Sequence, residues 1–329
     1  MRPAMSLRNL MGHMREAHGF DDLQGEARRR RLRNMGYFHG FKGFRYVRRP
    51  SDRLGLSSFG ELESVYGFDA RMKAALYPRV MEVETALKNV VLARVLEGCS
   101  EPSLSAFLRE GLDPCRLEDG SVSRSRMRDN LRLKATLQAT VRDSYKQPHV
   151  RHYVDRAGDA PMWSVFESMS LGTLSLLARC LRPDIEAMAA RDVGIPEASG
   201  RVLADVVEVI RPLRNCIAHN NVIFDARFSQ AVRYGGGNAS VAMAGALVRD
   251  QTGLGYAPEF RSIVDYVVFL TMLLFWLTRR KGDARRFVRE CRRALDGLRA
   301  DVGIDMYMKI VGSGDRQKLD AALAFVSAR

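Results

Sequence analysis

Cysteine is scarce in this 329-residue chain, and the five residues present (Cys99, Cys115, Cys180, Cys216 and Cys291) are scattered along it. Their number is odd and none stands in a C-x-x-C pair. That pattern argues against a disulfide framework and for reduced, mostly structural thiols in a cytoplasmic protein. Long hydrophobic runs are lacking too. The most apolar stretch, YVVFLTMLLFWLT from Tyr266 to Thr278, covers 13 residues. A membrane-spanning helix needs about 20, so a buried core helix is expected here and no membrane partner. The first residues, MRPAMSLRNLMGHMREAHGF, carry no continuous apolar stretch of the signal-peptide kind. Strand signals are sparse, and no internal repeat of fixed period is visible. There is no Gly-x-x-x-x-Gly-Lys loop to cradle a triphosphate, no Gly-x-Gly-x-x-Gly turn for a dinucleotide and no Gly-x-Ser-x-Gly elbow. A Ser/His/Asp or Cys/His set with partners distant in sequence stays open.

Acidic residues are in deficit. Asp and Glu number 38 against 52 Lys and Arg, a formal charge of +14. Such an excess suits a polyanionic partner, nucleic acid before membrane, although a basic solvated surface gives the same total. What the chain does have is helical periodicity almost throughout, with 46% apolar residues to fill a core. An all-α fold is expected.

Residues 1–25 read as a short polar helix. Between Arg28 and Arg53, ten basic residues face one acid, Asp52. Tyr37, Phe38, Phe41, Phe44 and Tyr46 are interleaved with them. Basic and aromatic groups together can hold phosphates and stack on unpaired bases. The competing reading packs the aromatics inward and leaves the arginines solvated. The aromatics are expected to pack inward, and Arg28, Arg29, Arg30, Arg31, Arg33, Lys42, Arg45, Arg48 and Arg49 are candidate RNA contacts. Residues 59–97 read as a helix pair, with Pro78 either kinking the run or separating two helices. Glu84 and Lys88 stand four apart, the order that favours a surface ion pair. Residues 98–123 look irregular. Residues 124–147 form a basic helix whose Arg128 and Arg132 are further RNA-contact candidates. Pro161 is expected to start a helix with Trp163, Phe166, Met169, Leu174 and Leu177 facing the core, and Gly172 permits close helix approach. Residues 229–257 read as a Gly- and Ala-rich flexible excursion around Gly235-Gly236-Gly237. Helices follow at 259–281 and 284–300, with one more in the tail.

The segment richest in chemistry is Arg214-Asn215-Cys216-Ile217-Ala218-His219-Asn220-Asn221, at the end of a helix over 199–219. A histidine can move a proton near neutral pH. An arginine can hold a phosphate that gains charge in a transition state. On a helix Arg214 falls in phase with Leu203, Val207, Ile210 and Ile217, and an arginine on an apolar stripe must be paired or at an interface. His219 lies about 140° from Arg214 on an ideal helix, so one straight helix does not bring the two together. Either the helix ends or bends between them, or each points into a cleft shared with another copy. Asn220-Asn221 is a suitable stop, and Pro212 removes a bond to the carbonyl of Glu208. Glu208, Arg211, Asn215 and His219 share a second face, which makes Arg211 the rival of Arg214 and a candidate RNA contact. A histidine at a helix C-terminus can also simply stabilise the dipole. His149 and His152 could share a helical face, but no third ligand type is close, so no metal site is expected.

Four ordered blocks resemble the Abi-like (AbiD/AbiF-type) abortive-infection proteins of bacteria, within the HEPN superfamily. They are LRNMGYFHGFKGFRY, LESVYGFDARMKAALYPRVMEVETALKN, HVRHYVDRAGDAPMWSVFESMSLGTLSLL and IRPLRNCIAHNNVIFDARF. Together they span roughly residues 30–230. The first block departs from the pattern, with Phe38-His39 where the family tends to keep a tyrosine and an arginine. The acid and base of the second block survive as Glu84 and Lys88. The resemblance implies an all-α, HEPN-type helical bundle over residues 28–230. Beyond it, the residues themselves read as an N-terminal helical segment (1–27) and as a flexible Gly-rich loop with C-terminal helices (231–329) packing on the same bundle. The resemblance also implies a metal-independent endoribonuclease needing no cofactor and acting as a homodimer, with Arg214 and His219 as the catalytic pair and Asn215 as the polar third member. Some relatives are encoded beside a structured non-coding RNA, so RNA is expected as substrate and as a bound regulator. Related proteins also lose activity and act as RNA-binding or scaffold partners, which is the alternative from another class. A DNA-binding regulator is a third reading, with no recognition-helix signature behind it.

Overall fold

The computed structural model describes residues 5–47, 52–197, 201–224 and 239–329, and these form fifteen α-helices and no strand. They are α1 (Leu7–His18), α2 (Gly25–Met35), α3 (Phe59–Gly98), α4 (Leu104–Glu110), α5 (Arg124–Ser144), α6 (Pro148–Ala157), α7 (Met162–Ser168), α8 (Leu171–Cys180), α9 (Pro183–Val193), α10 (Leu203–Ala218), α11 (Ala239–Thr252), α12 (Ile263–Thr278), α13 (Lys281–Asp301), α14 (Ile304–Val311) and α15 (Asp315–Ala328). The all-α class is as the periodicity predicts.

The organising element is α3. Ser58 caps it, accepting a hydrogen bond from the Glu61 amide at 3.0 Å, one of the orphan donors that a helix start leaves. Leu62, Val65, Phe68, Met72, Leu76, Val80, Val83, Leu87, Val91 and Val95 recur every three or four residues and are all buried. Apolar surface on one continuous stripe is what holds 40 residues, about 60 Å, in one rod. The expected helix pair is thus a single helix. Pro78 lies inside it, on the exposed side together with Ala74, whose carbonyl loses its donor. Core burial on the opposite face outweighs one missing bond.

The apolar run predicted to be core is α12, buried from Ile263 to Trp276. Ser262 and Asp265 form a reciprocal capping box at its start. It packs on α3, α13 and α15, and α13 packs on α3 as well. Among the described residues no helix is long and apolar enough to cross a membrane.

Several further expectations need correction, among them the one helix expected from Pro161 through Leu177, which is broken at Met169-Ser170 into α7 and α8. Residues 239–252, expected within a flexible excursion, form α11, whose Ala244, Leu247 and Val248 are buried. Alanine is the best helix former, and these residues cover α10. A Cβ at Gly245 would lie 2.4 Å from the Pro258 carbonyl oxygen, so this glycine admits a neighbouring backbone. Gly235, Gly236 and Gly237 lie outside the described residues. Within the irregular 98–123 segment, α4 forms a short helix. Trp163 is 38% exposed rather than core and meets Tyr153 edge-on at 5.1 Å. The tail holds two helices, α14 and α15, rather than one.

Candidate functional site

Helix α10 carries the Arg214–Asn221 segment and runs unbroken through Pro212. Its apolar stripe (Leu203, Val207, Ile210 and Ile217) is buried, so Arg214, in phase with it, is turned towards the protein. The arginine is paired there. Its Nε donates to Oε2 of Glu84 on α3 at 2.8 Å. Glu84 is only 4% exposed, and its other oxygen lies 3.3 Å from Lys88 Nζ. Glu84 and Lys88 are therefore not a surface pair. They form a clamp in which one buried carboxylate serves two partly buried cations. The cost that the phasing exposed is met within one chain, without a second protomer. The Nη1 of Arg214 reaches 3.5 Å from Asn215 Oδ1, a long contact.

The helix ends at Ala218, and His219 takes the C-cap position with its amide bonded to the Asn215 carbonyl at 3.0 Å. His219 is exposed. Asn220 adopts the left-handed conformation (φ 52°), the stop that the Asn-Asn pair predicts. The helix thus ends between Arg214 and His219, as one of the two geometric alternatives required. No hydrogen bond joins these two side chains among the described residues.

Asn220 does more than end the helix. Lys73 Nζ donates to its Oδ1 at 2.8 Å, and its Nδ2 lies 3.2 Å from His39 Nε2. An ammonium can only donate, so the amide oxygen must face Lys73 and the NH2 must face the histidine. His39 Nε2 is then the acceptor. Lys73 also pairs with Asp69 one turn earlier on α3, and Asp69 accepts the Ile223 amide at 2.8 Å. Burial pushes the Asp69 carboxyl above its ordinary range, and Lys73 opposes that shift. The chain Asp69–Lys73–Asn220–His39 ties three of the four sequence blocks together at the motif's end. Of these four residues the sequence reading gives a part to Asn220 alone, as the helix stop, and none to Asp69, Lys73 or His39. The signal available was the spacing of Asp69 and Lys73 and the departure at His39.

Arg211, the rival arginine, is engaged elsewhere. It makes a bidentate pair with Glu208, with Nε 3.1 Å from Oε2, and Ser175 Oγ donates to the same Oε2 at 3.0 Å. Cys216 packs inward, its Sγ 3.4 Å from the Asn221 carbonyl. The five cysteines are free, all but Cys99 buried, and burial pushes the Cys180 thiol up to about 12.

The basic N-terminal segment divides. Arg28 and Arg31 share Glu63, at 2.5 and 3.0 Å, and Arg29 pairs with Glu26 at 3.2 Å. Arg30 and Arg33 are exposed. Lys42 lies 5.4 Å from the Tyr37 and Phe38 rings, and Arg45 stands over Phe41 and Tyr46. Phe41 and Phe44 are buried as expected, but Phe38 is 76% exposed. Arg48 and Arg49 lie outside the described residues. Arg132 on α5 is exposed, and Arg128 lies on the same helix. Among the described residues, no three His, Cys, Asp or Glu side chains come together as a metal-holding group. His149 faces Ser168 Oγ at 3.4 Å, and His152 meets Tyr153 edge-on at 4.9 Å.

No curated protein and no solved structure matches the chain. A family model described as Abi-like protein matches residues 30–225, which takes in α3 with its Glu84 clamp and α10 with its terminal histidine. That span is more than half of the 329 residues, and the chain belongs to the Abi-like family of abortive-infection proteins.

Proposed function

We propose that this protein is a metal-independent, HEPN-type endoribonuclease of a bacterial antiphage abortive-infection system. The family carries the coarser part, abortive-infection defence. The cleavage reading rests on one observation: Glu84 holds Arg214 at the end of α10, where the next turn presents an exposed His219. The reaction would be in-line attack of a ribose 2′-OH on its own phosphodiester. His219 serves as the proton-transfer group, taking the 2′-OH proton or delivering one to the departing 5′-oxygen. Arg214 stabilises the charged phosphorane, with Asn215 beside it. Products are a 2′,3′-cyclic phosphate and a 5′-OH, so no water enters the first step. A homodimer would supply two such histidines to one cleft, one for each proton. RNA would reach the site over the basic surface of α2 and α5.

The pairing of Arg214 with Glu84 also favours a second reading. A guanidinium already neutralised by a carboxylate has less charge to offer a phosphorane, as in a relative that holds a small RNA or a partner protein without cutting it. One experiment separates the two. The wild type, His219→Ala and Arg214→Ala are expressed, and growth arrest and RNA cleavage are followed with EDTA present. Loss of both effects in the variants is the expected result. Unchanged cleavage in both variants removes this site from the reaction, and complete loss with EDTA removes the metal-free mechanism. Co-purification of one defined RNA with no cleavage of any substrate supports the second reading.

A further inference from the structure

Away from the end of α10, a cleft of ≈ 340 Å³ opens between α5, α8 and α10. Its size is at the lower end of small-molecule sites, roughly 300–1,000 Å³. Three arginines line it, one from each helix: Arg132, Arg179 and Arg211. One carboxylate, Glu208, faces them, and both of its oxygens are engaged by Arg211, with Ser175 adding a donor. Arg132 and Arg179 have no carboxylate partner among the described residues, and both are exposed. Three cations around one cleft concentrate anions there, and two of them are free of a carboxylate to grip one. The cleft also holds the start of α8, where Ser170 caps the Thr173 amide at 3.1 Å and the positive end of the helix dipole is presented. Gly172 is what lets Arg211 lie there: a Cβ at this position would stand 3.3 Å from Arg211 Cδ.

We propose that this cleft binds a phosphoryl group, gripped by Arg132 and Arg179 with Arg211 as the braced third cation. Arginine is the side chain suited to this, because its planar fork matches two phosphate oxygens at once. Thr136, Ser170 and Thr173 add hydroxyls to the lining. The phosphoryl group belongs either to a free nucleotide or to the backbone of an RNA strand. The site does not depend on cleavage by Arg214 and His219.

The test uses the full-length protein and three probes: adenosine 5′-monophosphate, adenosine, and a 2′-O-methyl RNA oligomer with a 5′-OH, which cannot undergo 2′-OH attack. Binding is measured by calorimetry for the wild type and for the Arg132→Ala/Arg179→Ala double variant, with melting curves to confirm folding. The nucleotide should bind where adenosine does not, or the oligomer should bind, and the double variant should weaken that binding about ten-fold or more. Glu208→Gln should tighten it, an outcome that damage to the fold would not give. Displacement of the nucleotide by the oligomer, or binding of the oligomer alone, assigns the phosphoryl group to RNA. Nucleotide binding without displacement assigns it to a free nucleotide. Equal binding of adenosine and its monophosphate, no binding of either phosphate probe, or unchanged binding in the double variant overturns the site.

Discussion

Arg214 and Glu84 lie 130 positions apart in the chain and 2.8 Å apart in space, Nε to Oε2. Glu84 is buried on α3 and shared with Lys88, so the carboxylate fixes where the guanidinium of α10 can point. That contact fixes the Nε edge of the candidate catalytic guanidinium, while the side chain as a whole keeps 29% of its surface exposed.

Breaking the clamp from either side should have different consequences. Arg214→Ala leaves Glu84 its second partner, so stability should fall by only roughly 1–3 kcal/mol, while cleavage falls by about 10²–10³-fold. Glu84→Gln leaves two cations without their counter-ion and should lower the melting temperature at least as much, with a smaller loss of cleavage. Melting curves and single-turnover cleavage of both variants measure this. A Glu84→Gln protein as stable as the wild type would show that the clamp holds nothing.

His219 is exposed at a helix end and should contribute little to folding. His219→Ala is expected to stay within about 0.5 kcal/mol of wild-type stability and to lose cleavage by roughly 10²–10⁴-fold. A melting temperature several degrees lower would instead identify His219 as a structural cap.

Asn220 combines a left-handed backbone with two side-chain bonds. Asn220→Gly removes the bonds to Lys73 and His39 but keeps the conformation, and Asn220→Ala removes both. The alanine variant should therefore be the less stable by roughly 1–2 kcal/mol. Chemical denaturation of the pair reads this difference directly, and equal midpoints would show that the turn relaxes.

His18 gives a pH dependence. Burial, and then the charge of Arg45, hold its imidazole below the ordinary 6.5. The folded protein favours the neutral ring, whereas the unfolded chain takes up a proton from about 6.5 downwards. The stability it contributes is thus present above that pH and is lost as the pH falls through the lower folded value. His18→Gln should flatten the change in melting temperature between neutral and mildly acidic pH. The same slope in variant and wild type would assign it to other groups.

The motif helix and its stop were legible in sequence because both are local. Apolar phase set the buried face of α10, and Asn220 marked its end. The resemblance added the matching second block, yet Glu84 and Lys88 read there only as an ordinary pair four residues apart. Their burial depends on α10 being laid across α3, and no local spacing encodes that. Trp163 illustrates the reverse case. Its helical phase points to the core, but α7 is only seven residues long, and its neighbours leave that edge uncovered. For α11, the glycines before it and its low polarity resembled a loop, although alanine favours helix wherever a partner surface exists.

The sequence by itself determined the helical class, the core run of α12 and the place of the Arg214–His219 segment, because 3.6-residue periodicity and turn chemistry act within a few residues. Only the tertiary structure decided which cations are spent and which are offered. Arg214 is held by Glu84, Arg211 by Glu208, and Arg28 and Arg31 by Glu63, whereas Arg132 and Arg179 face a cleft. A charge is neutralised by whatever lies within a few ångströms, and at separations such as those joining α10 to α3 that is settled by helix packing.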